Sequence, residues 1–298
     1  MWLVFSFISA FLLGCYDVSK KKALDGNAVI PVLFLNILIS SIMFLPFIIL
    51  SYSTDILTDT LFYVPKVSLQ THAKVILKSL IVLTSWITGY YSVKNLPLTI
   101  TGPIKATQPV ITLLGALAIF GERLNLFQWT GVFLSILSFY LLSSSSKKEG
   151  INFTHNKWIL YAVLSVILGA ISGLYDKYLV KSLDVMTIQV WFYVYQLFMM
   201  LPAFFFLWYP HREKTVPFRW KWNIVLISIF LIMADWIYFY ALGFDDSMIS
   251  IVSMIRRSSV VITFIAGALF LHEKNLKNKT FDLFLVLLGM LFLYLGTR

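Results

Sequence analysis

Apolar runs of about 18–25 residues follow one another along almost the whole chain, a length with which a helix crosses roughly 30 Å of hydrocarbon at 1.5 Å per residue. They fall near 2–18, 28–51, 74–93, 97–120, 126–143, 157–180, 185–209, 222–243, 247–271 and 279–297. The pattern predicts an all-α integral membrane protein with ten transmembrane helices. Composition agrees: 59% of the residues are hydrophobic and 13% charged, where a soluble domain carries about 45–50% and about 25%. A soluble fold could not hide that much apolar surface.

The net charge of +10 would suggest nucleic acid in a soluble protein. Here most Lys and Arg sit in the breaks between runs, where they meet lipid headgroups, so the expected partner is the bilayer and not nucleic acid. Cys15 stands alone, which excludes an internal disulfide and a cysteine-based metal cluster. Leu12-Leu13-Gly14-Cys15 is similar to a lipoprotein cleavage box. No basic stretch precedes it, however, and Lys20, Lys21 and Lys22 follow it, so an uncleaved first helix is expected.

The longest breaks are 52–73 and the serine-rich stretch from Ser143 to Gly150. The second divides the chain into a five-helix repeat over 1–143, a linker over 144–156 and a second five-helix repeat over 157–298. A shift of 159 positions lays Gly14, Tyr16 and Asp17 on Gly173, Tyr175 and Asp176, and Lys22, Leu24 and Asp25 on Lys181, Leu183 and Asp184. A shift of 151 lays Ile104-Lys105 on Ile255-Arg256, Val110-Ile111-Thr112 on Val261-Ile262-Thr263, and Glu122 on Glu273. Five is an odd number, so the second repeat enters the membrane in the opposite sense to the first. The 5+5 inverted repeat is an architecture in which many carriers alternate access around a site near the midplane.

Charged side chains inside such helices carry the functional signal. Lys105, Arg256 and Arg257 would together cost about 8–10 kcal/mol if all three faced lipid, so they must face a bundle interior or a wet cavity. Thr101, Lys105, Gln108 and Thr112 fall on one helical stripe, and Arg256, Ser259 and Thr263 form its repeat-related partner. Ser250, Ser253 and Arg257 make an adjacent stripe. These stripes predict two walls of one cavity. Internal neutralisation by Asp235, or by Asp17 and Asp176, is the competing reading, with Asp235 also a candidate for proton or ion coupling. Arg257 has Ala106 as its counterpart in the first half, an asymmetry that favours recognition over a symmetric lock. Pro103 and Pro109 flank Lys105, and each removes a helical hydrogen bond. Among the many aromatics, Tyr90 and Trp236 are expected in the cavity wall. Glu122 and Glu273 are expected at the membrane surface in turns or salt bridges.

There is no Ser/His/Asp set, no His-Glu-x-x-His pattern and no glycine-rich phosphate loop after a strand, and His72, His155, His211 and His272 are scattered over loops and helix ends. Neither an enzyme nor a resident metal or cofactor is expected.

The segment Pro103-Ile104-Lys105-Ala106-Thr107-Gln108-Pro109-Val110-Ile111-Thr112-Leu113-Leu114-Gly115-Ala116-Leu117, running into Gly121-Glu122-Arg123-Leu124, and its counterpart from Ile255 to Glu273 resemble the drug/metabolite transporter superfamily with two EamA-type domains. Lys105 and the Arg256-Arg257 pair are similar to the basic site of its triose-phosphate/phosphate translocator branch. The resemblance implies a multi-pass transporter in a cell membrane, plasma or inner, a monomer or homodimer. With the buried bases it implies an antiporter-like carrier of a phosphorylated or carboxylated anion at Lys105, Arg256, Arg257, Gln108, Thr101, Ser253, Tyr90 and Trp236. An exporter of amino acids or other neutral or zwitterionic metabolites is the alternative, and a non-transporting partner or lipid-carrier flippase subunit a third.

Overall fold

The computed structural model describes residues 2–120, 125–147, 155–180, 182–214, 216–242, 244, 252, 255–270 and 276–296. The protein is all-helical among them. The helices are α1 (Trp2–Leu24), α2 (Val29–Ser53), α3 (Leu69–Asn95), α4 (Leu98–Ala106), α5 (Gln108–Phe120), α6 (Leu126–Lys147), α7 (Lys157–Val180), α8 (Val185–Pro202), α9 (Asn223–Leu242), α10 (Ser259–Phe270) and α11 (Leu276–Leu295). A π-helical segment, Ala203–Trp208, prolongs α8. Six of these, α1, α2, α3, α7, α9 and α8 with its prolongation, are long and apolar enough to cross a membrane. Their outer faces carry large exposed apolar side chains, such as Phe7 and Phe11 on α1 and Ile42 and Ile49 on α2, as a lipid-facing surface requires. Glu122, Glu273, Ser250 and Ser253 lie outside the described residues.

The apolar run expected as one helix over 97–120 is two helices. Pro109 has no N–H to donate to the carbonyl one turn back, which is that of Lys105. Thr107 fills the gap between α4 and α5, sending its N–H to the Ile104 carbonyl at 3.2 Å and its hydroxyl to the same oxygen at 2.7 Å. The second half repeats the break. Residues 255–257 are helical, Ser258 turns, and its N–H and hydroxyl reach the Ile255 carbonyl at 3.0 and 2.6 Å. Val260 stands where the first half has Pro109, so here the hydroxyl makes the turn without proline.

Packing joins early helices to late ones: α1 lies on α9, α3 on α7, α2 on α8, α4 on α10 and α6 on α11. Small residues set the closest approaches. A Cβ on Gly14 would fall 2.6 Å from Ile262, and one on Gly102 would fall 2.8 Å from Val260, so α1 and α4 both press on α10. Between α3 and α7, Ser85 and Ser165 each donate a hydroxyl to the other's carbonyl at 2.8 Å. Buried apolar side chains of α1, α2, α3 and α9, among them Leu24, Leu33, Ile37, Val93 and Ile227, form the main core on one flank of the central space.

Candidate functional site

A cavity of about 520 Å³ opens at the centre of the bundle, walled by α1, α3, α4, α5, α6, α7, α8, α9, α10 and the helical residues 256–257 before α10. Its charged lining is unusual for a membrane interior. Lys20, Lys78, Lys105, Arg256 and Arg257 face Asp17, Asp176 and Asp235, five cations against three carboxylates among the described residues.

Each carboxylate has a partner. Asp17 on α1 accepts at one oxygen from both Lys20, at 2.6 Å, and Lys105, at 2.7 Å. Lys20 lies one turn from Asp17 on the same helix, over the Tyr16 ring at 4.2 Å and the Tyr90 ring at 5.2 Å. Asp176 on α7 accepts from Lys78 of α3, whose ammonium also faces the rings of Phe192 and Phe239. Asp235 on α9 accepts from Arg256, whose guanidinium lies 4.2 Å from the Tyr238 ring. Aromatic faces attract these cations and reduce the cost of holding them out of water. Arg257 has no hydrogen-bond or ion-pair partner among the described residues.

The structure thus brings together Lys105, Arg256, Arg257, Gln108, Tyr90, Asp17, Asp176 and Asp235 in one wall system. The Tyr90 hydroxyl is fixed by Asn36 Nδ2 at 3.1 Å, which in turn meets Ser228. Two expected residues are placed elsewhere. Thr101 is buried behind the wall with its hydroxyl on the Pro97 carbonyl at 3.3 Å. Trp236 lines a smaller hollow of about 300 Å³ with Leu61, Val185, Phe239, Tyr240 and Phe244, stacked between Phe62 and Tyr240.

Several wall residues were not singled out by the sequence. Lys20 hides in a Lys-Lys-Lys run that looks like a helix-end cluster. The spacing of Asp17 and Lys20, three residues on one helix, was the available signal. The neighbouring Lys21 is also spent internally: its ammonium reaches the Val93 and Leu96 carbonyls at 2.7 and 2.6 Å, closing the C-terminal end of α3. Lys78 sits four residues into an apolar run and was indistinguishable from a flanking charge. Gln189 and Tyr193 of α8 also line the cavity.

Comparison with known proteins completes the description. The profile of the EamA-like transporter family matches residues 1–144 and again 156–295. A solved crystal structure superposes with a TM-score of 0.66 over 99% of this chain and 97% of its own, at 11% identity, a likeness of fold alone. No curated protein sequence matches the chain.

Proposed function

The chain belongs to the EamA-like transporter family, a family of membrane transporters of small solutes, and from that premise we propose that it is a secondary carrier of a small organic anion, phosphorylated or carboxylated. The observation that carries this reading is the charge balance of the cavity among the described residues: five cations, three carboxylates, and Arg257 left without a partner among them. A surplus of positive charge in a low-dielectric interior is costly unless an anion completes it. Arg257, flanked by Arg256 and within the same wall as Lys105, is the residue to which the anion binds. Gln108 and Tyr90 border the same space.

The transport cycle is alternating access through ten helices in a 5+5 inverted repeat, with halves 1–143 and 157–298. The family profile matching twice and the pairing of each early helix with a late one support this architecture. The ion pairs supply the switch. Asp17 and Lys105, of the first half, are bonded to each other, whereas their counterparts Asp176 and Arg256 are each bonded elsewhere, to Lys78 and Asp235. In a carrier whose halves exchange conformations, the opposite-facing state forms Asp176 to Arg256 and releases Lys105 from Asp17.

A second reading has a specific support: Arg256 and Lys105 are neutralised internally, as an exporter of neutral or zwitterionic metabolites would require. Exchange assays in liposomes with purified protein separate the two. Loss of anion exchange in Arg257→Gln supports the anion carrier. Exchange of a neutral or zwitterionic metabolite in place of anions, kept in Arg257→Gln and lost in Asp235→Asn, supports the alternative.

A further inference from the structure

Most polar groups around the cavity satisfy one another, and the few that do not describe the complement of the ligand. The carboxylates hold Lys20, Lys78, Lys105 and Arg256, the serines of α3 and α7 hold each other, and Tyr90 is held by Asn36. Among the described wall residues, the buried atoms left over are the Arg256 Nε–H and both atoms of the Gln189 carboxamide. Arg257 has no ion-pair partner among the described residues, and the Tyr193 hydroxyl is turned to Ser40 of α2.

Gln189 and Tyr193 stand one turn apart on the same face of α8, and they are 3% and 1% exposed. Tyr193 is fixed in place: its ring stacks on Phe44 at 5.5 Å and meets Phe192 at 5.1 Å, and its carbonyl accepts from Ser41 at 3.0 Å. A carboxamide brings two donors and two lone pairs. Buried groups of this kind are paired in native proteins as a rule, and their exceptions mark sites completed by something other than the chain.

Resting on the anion-carrier reading, we propose that Gln189 is a specificity-determining residue that reads a neutral hydrogen-bonding group on the transported anion. The substrate class is then an organic anion with a hydroxyl, carbonyl or amide function: the anionic end meets Arg257 and the neutral polar end meets α8. Bare inorganic anions and purely aliphatic ones lack the second half of the match. A site whose buried polar groups are left unpaired by an analogue rejects that analogue strongly, by factors that reach about 10⁴ in the best cases.

The test uses the full-length protein in liposomes and a matched pair of permanently ionised probes, isethionate and ethanesulfonate, which differ by one hydroxyl, with gluconate, inorganic phosphate and sorbitol alongside. The wild-type protein exchanges isethionate and gluconate at least tenfold faster than ethanesulfonate or phosphate, and does not exchange sorbitol. Gln189→Leu and Gln189→Met each reduce the isethionate-to-ethanesulfonate ratio at least tenfold, and Arg257→Gln abolishes exchange of both sulfonates. The ligand-free melting temperature of Gln189→Leu and Gln189→Met stays level or rises, because neither removes a hydrogen bond the folded chain makes.

A ratio that persists in the α8 variants, or a wild-type ratio near one, overturns this inference and leaves the anion carrier standing. A fall of several degrees in ligand-free melting for both Gln189 variants does the same, since it gives the carboxamide a structural bond. Exchange of sorbitol faster than the anions, full exchange in Arg257→Gln, or no exchange of any probe by the wild type overturns both.

Discussion

Thr107 and Ser258 stand at matching points of two helical segments, 151 positions apart, and each turns its hydroxyl back onto the carbonyl three residues earlier. Each follows within two residues the basic side chain of its half, Lys105 or Arg256. A discontinuity beside a buried charge, with wall residues Gln108 and Ser259 opening the following helix, is how helical carriers present backbone dipoles to a bound solute.

The first prediction follows from that pair. Thr107→Val and Ser258→Ala each remove a hydroxyl-to-carbonyl bond worth about 1 kcal/mol. Each single variant melts a few degrees lower, whereas the double variant, which loosens both turns, loses at least tenfold in exchange rate and about the sum of the two stability losses. Thermal melts in detergent and liposome exchange rates read the two effects separately, and a double variant that exchanges at the wild-type rate shows that these turns have no part in transport.

Pro109 gives a sharper version of the same idea. Restoring an N–H with Pro109→Ala lets the Lys105 carbonyl regain its helical donor and joins α4 to α5. The variant is expected to be as stable as the wild type or more so and several times slower in exchange. Equal stability with an undiminished rate would show that the break is inert.

Ion-pair energetics provide a third. Lys78 is buried, and Asp176 is its carboxylate partner across α3 and α7. Lys78→Met leaves Asp176 uncompensated, which costs about 3–5 kcal/mol, while pairing it with Asp176→Leu recovers most of that loss. A double-mutant cycle on melting temperature measures the coupling; additive losses would mean that the pair does not form in the membrane.

The fourth concerns the pair that is not made here. Single reversals Asp176→Arg and Arg256→Asp should each reduce exchange more than tenfold, and the combined swap should recover at least a third of the wild-type rate. Recovery requires the two positions to meet at some stage of the cycle, although in this structure they are bonded to Lys78 and Asp235. No recovery in a swapped protein that still folds would remove the proposed switch.

What the sequence disclosed and what it withheld divide along physical lines. Apolar length and the cost of burying a cation were enough to give an all-helical membrane chain and to direct Lys105, Arg256 and Arg257 to an interior space, because both are properties of the residue and the solvent. The break at Thr107 was legible through Pro109, but the one at Ser258 was not, since no proline marks it and a serine in a helix has several other fates. Thr101 was assigned to the wall from its helix stripe and Trp236 from a cluster of aromatics, and neither signal says which neighbour the helix meets. Lys20 and Lys78 were missed for the opposite reason: a lysine near the end of an apolar run reads as a headgroup contact unless its partner, Asp17 or Asp176, is already known to lie opposite.

The unequal numbers of cations and carboxylates have an electrical consequence. An alternating carrier moves its barrier from one side of the cavity to the other, so the cavity takes the potential of whichever compartment it faces. Two uncompensated positive charges are then worth about 4–5 kcal/mol at 100 mV, enough to hold the empty protein facing the negative side of an energised membrane. A dianion cancels them and frees the loaded protein from the voltage, whereas a monoanion halves the bias. The step that returns the empty site would therefore carry the current, and its rate would register the membrane potential even for a solute whose own passage is electrically silent.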